Sequence, residues 1–188
     1  EELIKSPIFK SIIIASDTNL VVKIIEKFDD PRLRFFKRST SDTIRSRSLS
    51  HSLLGICNEY DQFFDGISMI SYVHTPFVKI ETTLEALDTL LYNDANASIG
   101  VDEFKDPLYC RSAHGLAALN APTIFRTDHD YVYRDASVAL CMKNSNLRGG
   151  SLHGPKTVHY VVPTQETLMI GSNQDLQIAN LLNESAHD

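Results

Sequence analysis

The most informative candidate site in this chain is nearly empty of reactive side chains. Leu168-Met169-Ile170-Gly171-Ser172 follows a β-branched run, Val158 to Val162, which Pro163 ends. It precedes a helical pattern of Leu176, Ile178, Ala179, Leu181 and Leu182, with Ser172 or Asn173 placed to cap it. In an α/β protein that uses nucleotides, a loop just before a helix is where carboxylates hold a metal at the phosphates. From Thr167 to Gln174 there is no carboxylate. Other stretches carry more charge. Arg126 and Arg134, with Tyr133 beside the second, could pair bidentately with a carboxylate. Two surface arginines on a hairpin would look the same. Arg38, Asp42, Thr43 and Ser46 form a polar stretch in which Ser41, Asp42 or Thr43 would serve as a helix N-cap in any case.

The remaining candidates favour structure over chemistry. His74 follows a strand pattern and could act as a general base, but no neighbouring carboxylate orients it, so a turn histidine is the simpler reading. No two histidines show the H-x-x-x-H ligand spacing. Asp128-His129-Asp130 reads as a turn, since three adjacent residues rarely converge on one ion. Asp17, at the end of a strand, reads as the cap of the helix that follows. Gly149-Gly150 with Lys156 could cradle a phosphate, although a hairpin loop is the stronger reading of a lone glycine pair. Neither G-x-x-x-x-G-K-[ST] nor G-x-G-x-x-G occurs.

These residues need elements to position them, and the chain supplies an alternation. Ser11 to Ala15 reads as a strand and Asn19 to Phe28 as a helix; Leu33 to Phe36 and Ser46 to Tyr60 repeat the pair. Ile67 to Val73, then Lys79 to Tyr92 with Ile80, Leu84, Leu87, Leu90 and Leu91 at helical spacing, repeat it again. Ser98 to Glu103 is a further strand. The pattern predicts an α/β domain with a largely parallel sheet covered on both faces. From Phe104 the rhythm shifts to short pieces, Leu108 to Arg111, Leu116 to Leu119, Tyr131 to Arg134 and Ser137 to Cys141, expected as antiparallel strands of an extension over about residues 104–165.

Composition fits one such domain spanning residues 1–188. With 43% hydrophobic and 22% charged residues the chain is an ordinary globular protein with a real core. A net charge of −6 argues against a nucleic-acid binder that relies on phosphate neutralisation. No apolar run approaches a membrane span. Three widely spaced cysteines, Cys57, Cys110 and Cys141, read as reduced thiols, which predicts a cytoplasmic protein.

Several stretches, in order, resemble the acylneuraminate cytidylyltransferase family of CMP-sialic acid synthetases. Ser6 to Asp17 resembles its S-x-L-F-D-x-I-x-V-S-T-D, and Ala97 to Phe104 its A-D-S-V-V-S-V. Arg126-Thr127-Asp128 with Tyr133 to Val138 resembles R-x-x-D with Y-x-x-N-G-A-I or R-D-G-A-V; Gly150 to Lys156 resembles S-L-F-G-G-K. The loop and helix start through Asp175-Leu176 resemble D-I-D-T-E-E-D-L. The resemblance implies a three-layer, Rossmann-like nucleotidyltransferase domain with a mixed, mostly parallel sheet and a small antiparallel β extension that completes a homodimer. It implies transfer of CMP from CTP to a sialic-acid-like sugar acid with release of pyrophosphate, helped by Mg²⁺. Arg38, Asp42, Thr43 and Ser46 then fall at the nucleotide; Arg126, Tyr133 and Arg134 fall at the sugar acid.

The departures from that family are as informative. The two aspartates of D-I-D fall on Met169 and Gly171, whose side chains cannot ligate a hard cation. A Gln and an Arg of the family's L-Q-P-T-S-P-L-R fall on Tyr72 and Val78, and a Gly falls on Ala136. The family's basic, glycine-rich first loop is absent, with the strand before it. The chain opens on Glu1-Glu2 in what reads as the end of a helix, so the natural domain is expected to begin upstream. Two functions follow as expectations: a Mg²⁺-dependent cytidylyltransferase, or a relative that has lost catalysis and acts as a binding or dimeric scaffold module.

Overall fold

The computed structural model describes residues 2–43, 49–60, 65–104, 107–120 and 132–185. Its helices are α1 (Glu2–Lys5), α2 (Val22–Ile25), α3 (Leu49–Glu59), α4 (Ile80–Tyr92) and α5 (Asn173–Ser185). Its strands are β1 (Ile12–Ser16), β2 (Leu33–Lys37), β3 (Ile67–Ser71), β4 (Ala97–Phe104), β5 (Tyr109–Ser112), β6 (Gly115–Ala118), β7 (Val132–Lys143) and β8 (Thr157–Val161). The main sheet has the order β3-β7-β4-β8. In it β3, β4 and β8 run the same way and β7 alone is reversed. Their carboxyl ends therefore share one edge. β1 and β2 form a parallel pair, and β5 and β6 a separate antiparallel hairpin.

Alternation along β7 builds the layers, because successive side chains point to opposite faces. Leu140 and Met142 meet Cys57, Leu53 and Leu54 of α3. Ala139 and Cys141 meet Ala86 and Leu90 of α4, with Tyr160 and Val162. Helices thus cover both faces of the sheet, which is the expected α/β arrangement in three layers.

Five local expectations are corrected. Residues 132–143 form one continuous strand at the centre of the sheet, not two pieces of an extension. A bulge near Asp135 breaks the apolar pattern there, and the antiparallel addition is left as the β5–β6 hairpin. The helix over Asn19–Phe28 shrinks to a 3₁₀ turn and one turn of α2. Its β-branched residues, Val21, Val22, Ile24 and Ile25, are poor helix formers. The cap there is Thr18, whose hydroxyl accepts the Leu20 N–H at 3.3 Å, and not Asp17. On α4 the buried stripe is Thr82-Thr83-Ala86-Leu90, while Leu91 faces solvent. Thr83 can be buried because its hydroxyl donates to the Lys79 carbonyl at 3.0 Å. Val158 to Val162 is an edge strand in which only Tyr160 and Val162 are buried.

Two polar knots hold the ends. Arg32 donates to the carbonyls of Ile4 (2.7 Å) and Ser6 (2.6 Å) and to the Asp30 carboxylate, tying the N-terminal segment to β2. At the amino edge of β4 and β8, the Asn146 amide donates to the carbonyls of Asn96 (2.9 Å) and Leu152 (3.1 Å). Gly154 turns over this knot at φ +67°, where a Cβ would stand 2.7 Å from Asn146 Oδ1 and Asn96 Cβ.

Candidate functional site

The site begins with the bulge. Along the β4–β7 ladder Ile99 faces Leu140, but the next partners are Val101 and Asp135. Ala136 to Ala139 therefore stand opposite Gly100 alone. Such an insertion bends the strand and re-aims its side chains. Ser137 takes a positive φ of 52°, and its N–H donates to Asp135 Oδ1 at 2.7 Å. Two hydroxyls brace the displaced backbone. Thr75 Oγ1 lies 3.3 Å from the Ser137 carbonyl and 3.0 Å from that of Tyr72. The Tyr160 phenol crosses over Gly100 and donates to the Ala139 carbonyl at 3.2 Å. Burial, first, and nearby carboxylates, second, push that phenol far above its usual range, so it remains a donor.

The bulge forms one wall of a cleft of about 420 Å³ at the carboxyl edge, lined by Arg134, Asp135, Ala136, Thr164, Thr167, Leu168 and Met169. That is the edge where ligands bind in open α/β sheets, and the size suits a small molecule. The opposite wall is the loop after β8, which is held twice. Glu166, only 3% exposed, accepts the Lys79 N–H at the start of α4 at 3.0 Å. The Ile170 N–H donates to the His74 carbonyl at 2.8 Å. A buried carboxylate at a helix N-terminus is favourable because the first N–H groups and the helix dipole both meet it.

Arg134 is the cation of this cleft. Its guanidinium donates to Asp102 Oδ2 at 2.7 Å and lies 4.9 Å from the Phe104 ring centroid. Its side chain is 59% exposed, so N–H groups remain for a ligand. Tyr133, next to it, packs against the His159 ring with centroids 4.4 Å apart and the planes tilted by 41°. Tyr72 is half-buried 5.2 Å from the His74 ring. Burial, and then the Asp135 charge, raise its phenol above the ordinary value.

The donor set at the loop does not fit the Mg²⁺ that the resemblance implies. Met169 offers a thioether, and the Gly171 N–H is a donor already engaged by Asp175 Oδ2 at 3.0 Å. The nearby carboxylate, Asp175, also accepts the Ser172 hydroxyl at 2.8 Å, while Ser172 Oγ caps the Asp175 N–H at 3.2 Å. This reciprocal pair begins α5 as a capping box would. Among the described residues no three His, Cys, Asp or Glu side chains gather to hold a metal.

The residues singled out by sequence separate into groups. Arg134 and Met169 meet in one cleft, with Tyr133 adjoining. Arg38 and Asp42 lie beyond β2, where Arg38 donates to Ser52 Oγ at 3.1 Å and to the Asp42 carbonyl. Asp42 accepts the Ser39 hydroxyl at 2.7 Å. Thr43 closes the 3₁₀ turn Thr40–Thr43. Ser46, Arg126 and the trio 128–130 lie outside the described residues. Val78 packs against the core formed by Ala86 and Leu90. Nothing in the structure favours the phosphate-cradle alternative for Gly149, Gly150 and Lys156: the loop lies at the amino edge of the sheet, and Lys156 Nζ donates to the Asn93 carbonyl. Sequence reasoning missed Thr164, Thr167 and Glu166. Glu166 follows a proline turn with nothing local to mark it as buried.

No family model and no curated protein sequence matches this chain. Solved structures do. The 4-diphosphocytidyl-2C-methyl-D-erythritol synthase of Anaerococcus prevotii superposes with a TM-score of 0.69 at 16% identity, over 97% of this chain and 82% of its own. The 2-C-methyl-D-erythritol 4-phosphate cytidylyltransferase of Francisella tularensis gives 0.64 at 12% identity, over 95% and 82%. Another 4-diphosphocytidyl-2C-methyl-D-erythritol synthase gives 0.59 at 12%, over 90% and 80%. At these identities the likeness is one of fold, and this chain has the fold of those cytidylyltransferases.

Proposed function

We propose that this chain is a cytidylyltransferase-like protein that takes CTP and a small acidic sugar at the Arg134–Met169 cleft. The observation that carries the reading is Arg134, an exposed guanidinium at the carboxyl edge of a sheet with that fold. In the reaction an acceptor oxygen, the hydroxyl of a sugar acid or a phosphate oxygen of a polyol phosphate, attacks the α-phosphorus of CTP, the bond to the β-phosphate oxygen breaks, and pyrophosphate leaves. With a hydroxyl acceptor the proton passes to solvent or a base. The resemblance favours a sialic-acid-like acceptor, and the names of the structural neighbours favour a polyol phosphate. Both are hydroxylated anions that a guanidinium can pair with. Mg²⁺ belongs to the enzyme reading only, and the Leu168–Ser172 loop supplies no carboxylates for it.

A second reading is favoured by Met169 and Gly171: a relative that keeps fold and dimer but lacks turnover. The hairpin supports a homodimer, since Tyr109, Leu116 and Leu119 are exposed on or beside it. Sedimentation of the chain and of Leu116→Asp tests this, with a dimer expected for the first and a monomer for the second. A cytoplasmic setting accords with three unpaired cysteines. Among the described residues, no helix is long and apolar enough to cross a membrane. Pyrophosphate release from CTP with a panel of sugar acids and polyol phosphates separates the readings. Turnover supports the enzyme; binding without turnover supports the module.

A further inference from the structure

From the mismatch between the cleft and a hard cation, we infer that this cleft takes its anionic ligand directly on Arg134, with no divalent cation at the Leu168–Gly171 loop. The inference rests on the reading of the cleft as a ligand pocket and specifies how charge is neutralised there. A divalent cation at this wall needs oxygen donors. The wall offers Leu168, the Met169 thioether and the neutral hydroxyls of Thr164 and Thr167, and no carboxylate. The Gly171 N–H points to Asp175, and the Asp175 carboxylate is turned away into the cap of α5 by Gly171 and Ser172. Of the described cleft residues only Asp135 is a carboxylate, and its Oδ1 accepts the Ser137 N–H at 2.7 Å.

The anion-facing chemistry lies across the cleft. Arg134 is fixed by Asp102 at 2.7 Å and by the face of Phe104, so its planar fork is held in place before a ligand arrives. One contact to Asp102 leaves several of its five N–H donors for a carboxylate or phosphate. From the opposite wall Thr164 and Thr167 add hydroxyls; the Thr167 proton goes to the Thr164 carbonyl at 2.9 Å, leaving its oxygen to accept from a ligand hydroxyl. The pocket therefore suits one small hydroxylated anion with an apolar side against Leu168 and Met169.

Calorimetry with N-acetylneuraminate and with 2-C-methyl-D-erythritol 4-phosphate, each in EDTA and in excess Mg²⁺, tests this. One of them is expected to bind with Kd values agreeing within about twofold in the two buffers, and Arg134→Ala to weaken it about tenfold or more. An EPR titration with Mn²⁺ is expected to show no uptake, with or without the anion. Met169→Asp combined with Gly171→Asp is expected to create Mn²⁺ uptake. Uptake by the unaltered chain, or a Kd about tenfold tighter in Mg²⁺, would overturn the inference and leave the enzyme reading standing. Absence of binding by either anion in either buffer would overturn it too, and pyrophosphate release from CTP then decides the enzyme reading separately.

Discussion

Tyr160 occupies the space that a side chain at Gly100 would need: a Cβ on Gly100 would stand 2.8 Å from the Tyr160 hydroxyl oxygen and 2.8 Å from Val162 Cγ2. The glycine is thus required by a side chain from the next strand, and that side chain holds the bulge that shapes the cleft. Gly100→Ala is expected to cost about 2–3 kcal/mol by overpacking, read as a lower urea midpoint. Tyr160→Phe keeps the ring and is expected to cost about 1–2 kcal/mol through the Ala139 carbonyl it leaves without its donor. Ligand affinity is expected to fall in Tyr160→Phe although Tyr160 does not line the cleft.

Gly150 and Gly154 form a matched pair. Both have positive φ, +70° and +67°, but Gly150 has open space around its missing Cβ and Gly154 has Asn146 and Asn96. Gly150→Ala is expected to cost only the left-handed backbone term, about 1–2 kcal/mol. Gly154→Ala adds steric overlap and is expected to cost about 3 kcal/mol or more. Equal urea midpoints for the two variants would contradict the close packing of the Asn146 knot.

Asp175 gives a pH dependence with a definite sign. Hydrogen bonds from the Ser172 hydroxyl, first, and the Gly171 N–H hold its carboxyl below the usual carboxylate value. A depressed folded-state value contributes stability above the unfolded value, about 3.9, and loses it as pH falls through the folded one. The difference in urea midpoint between the unaltered chain and Asp175→Asn is therefore expected at neutral pH and should close at acid pH below both values. A difference that persists in acid would mean the carboxylate charge does not hold the cap.

Glu166 fixes the cleft loop to α4. Glu166→Gln keeps an acceptor for the Lys79 N–H and loses the charge at the helix start, an expected cost of about 0.5–2 kcal/mol. Glu166→Ala removes both and leaves a cavity, with an expected cost of about 2–4 kcal/mol. Amide exchange at Lys79 provides the check: slow in the unaltered chain, faster in Glu166→Ala.

The three thiols separate by burial. Cys57 and Cys141 lie in the core, and burial pushes the Cys141 thiol up to about 12, whereas Cys110 is exposed on β5. Native labelling with a thiol reagent is expected to modify Cys110 rapidly and the other two only after unfolding.

The alternation of strand and helix was legible because it rests on local periodicity, and so were the strands at Ile12, Leu33 and Ala97. The position of β7 was not. Asp135 and Ser137 interrupt the apolar run, and only the pairing of Val101 with Asp135 shows that the strand continues through them. Met169 was legible as the absence of a carboxylate, but its meeting with Arg134 depends on the loop after β8 and the distant start of β7 converging on one edge. The burial of Glu166 follows from its contact with Lys79, 87 residues away in sequence, and no local pattern encodes such a contact. The same holds for α4, where Thr82 and Ala86 face the core because of what lies opposite them.

The reversal of β7 has a consequence for how the chain is made. β3 and β4 are not neighbours; β7 lies between them and is the ladder partner of both. During synthesis residues 67–104 emerge well before residues 132–143, so both strands wait with open edges until a late segment slots between them. Sheet closure is therefore a long-range event, slow relative to helix formation, and the exposed edges before it are where a nascent chain of this kind would meet chaperones or its own neighbours.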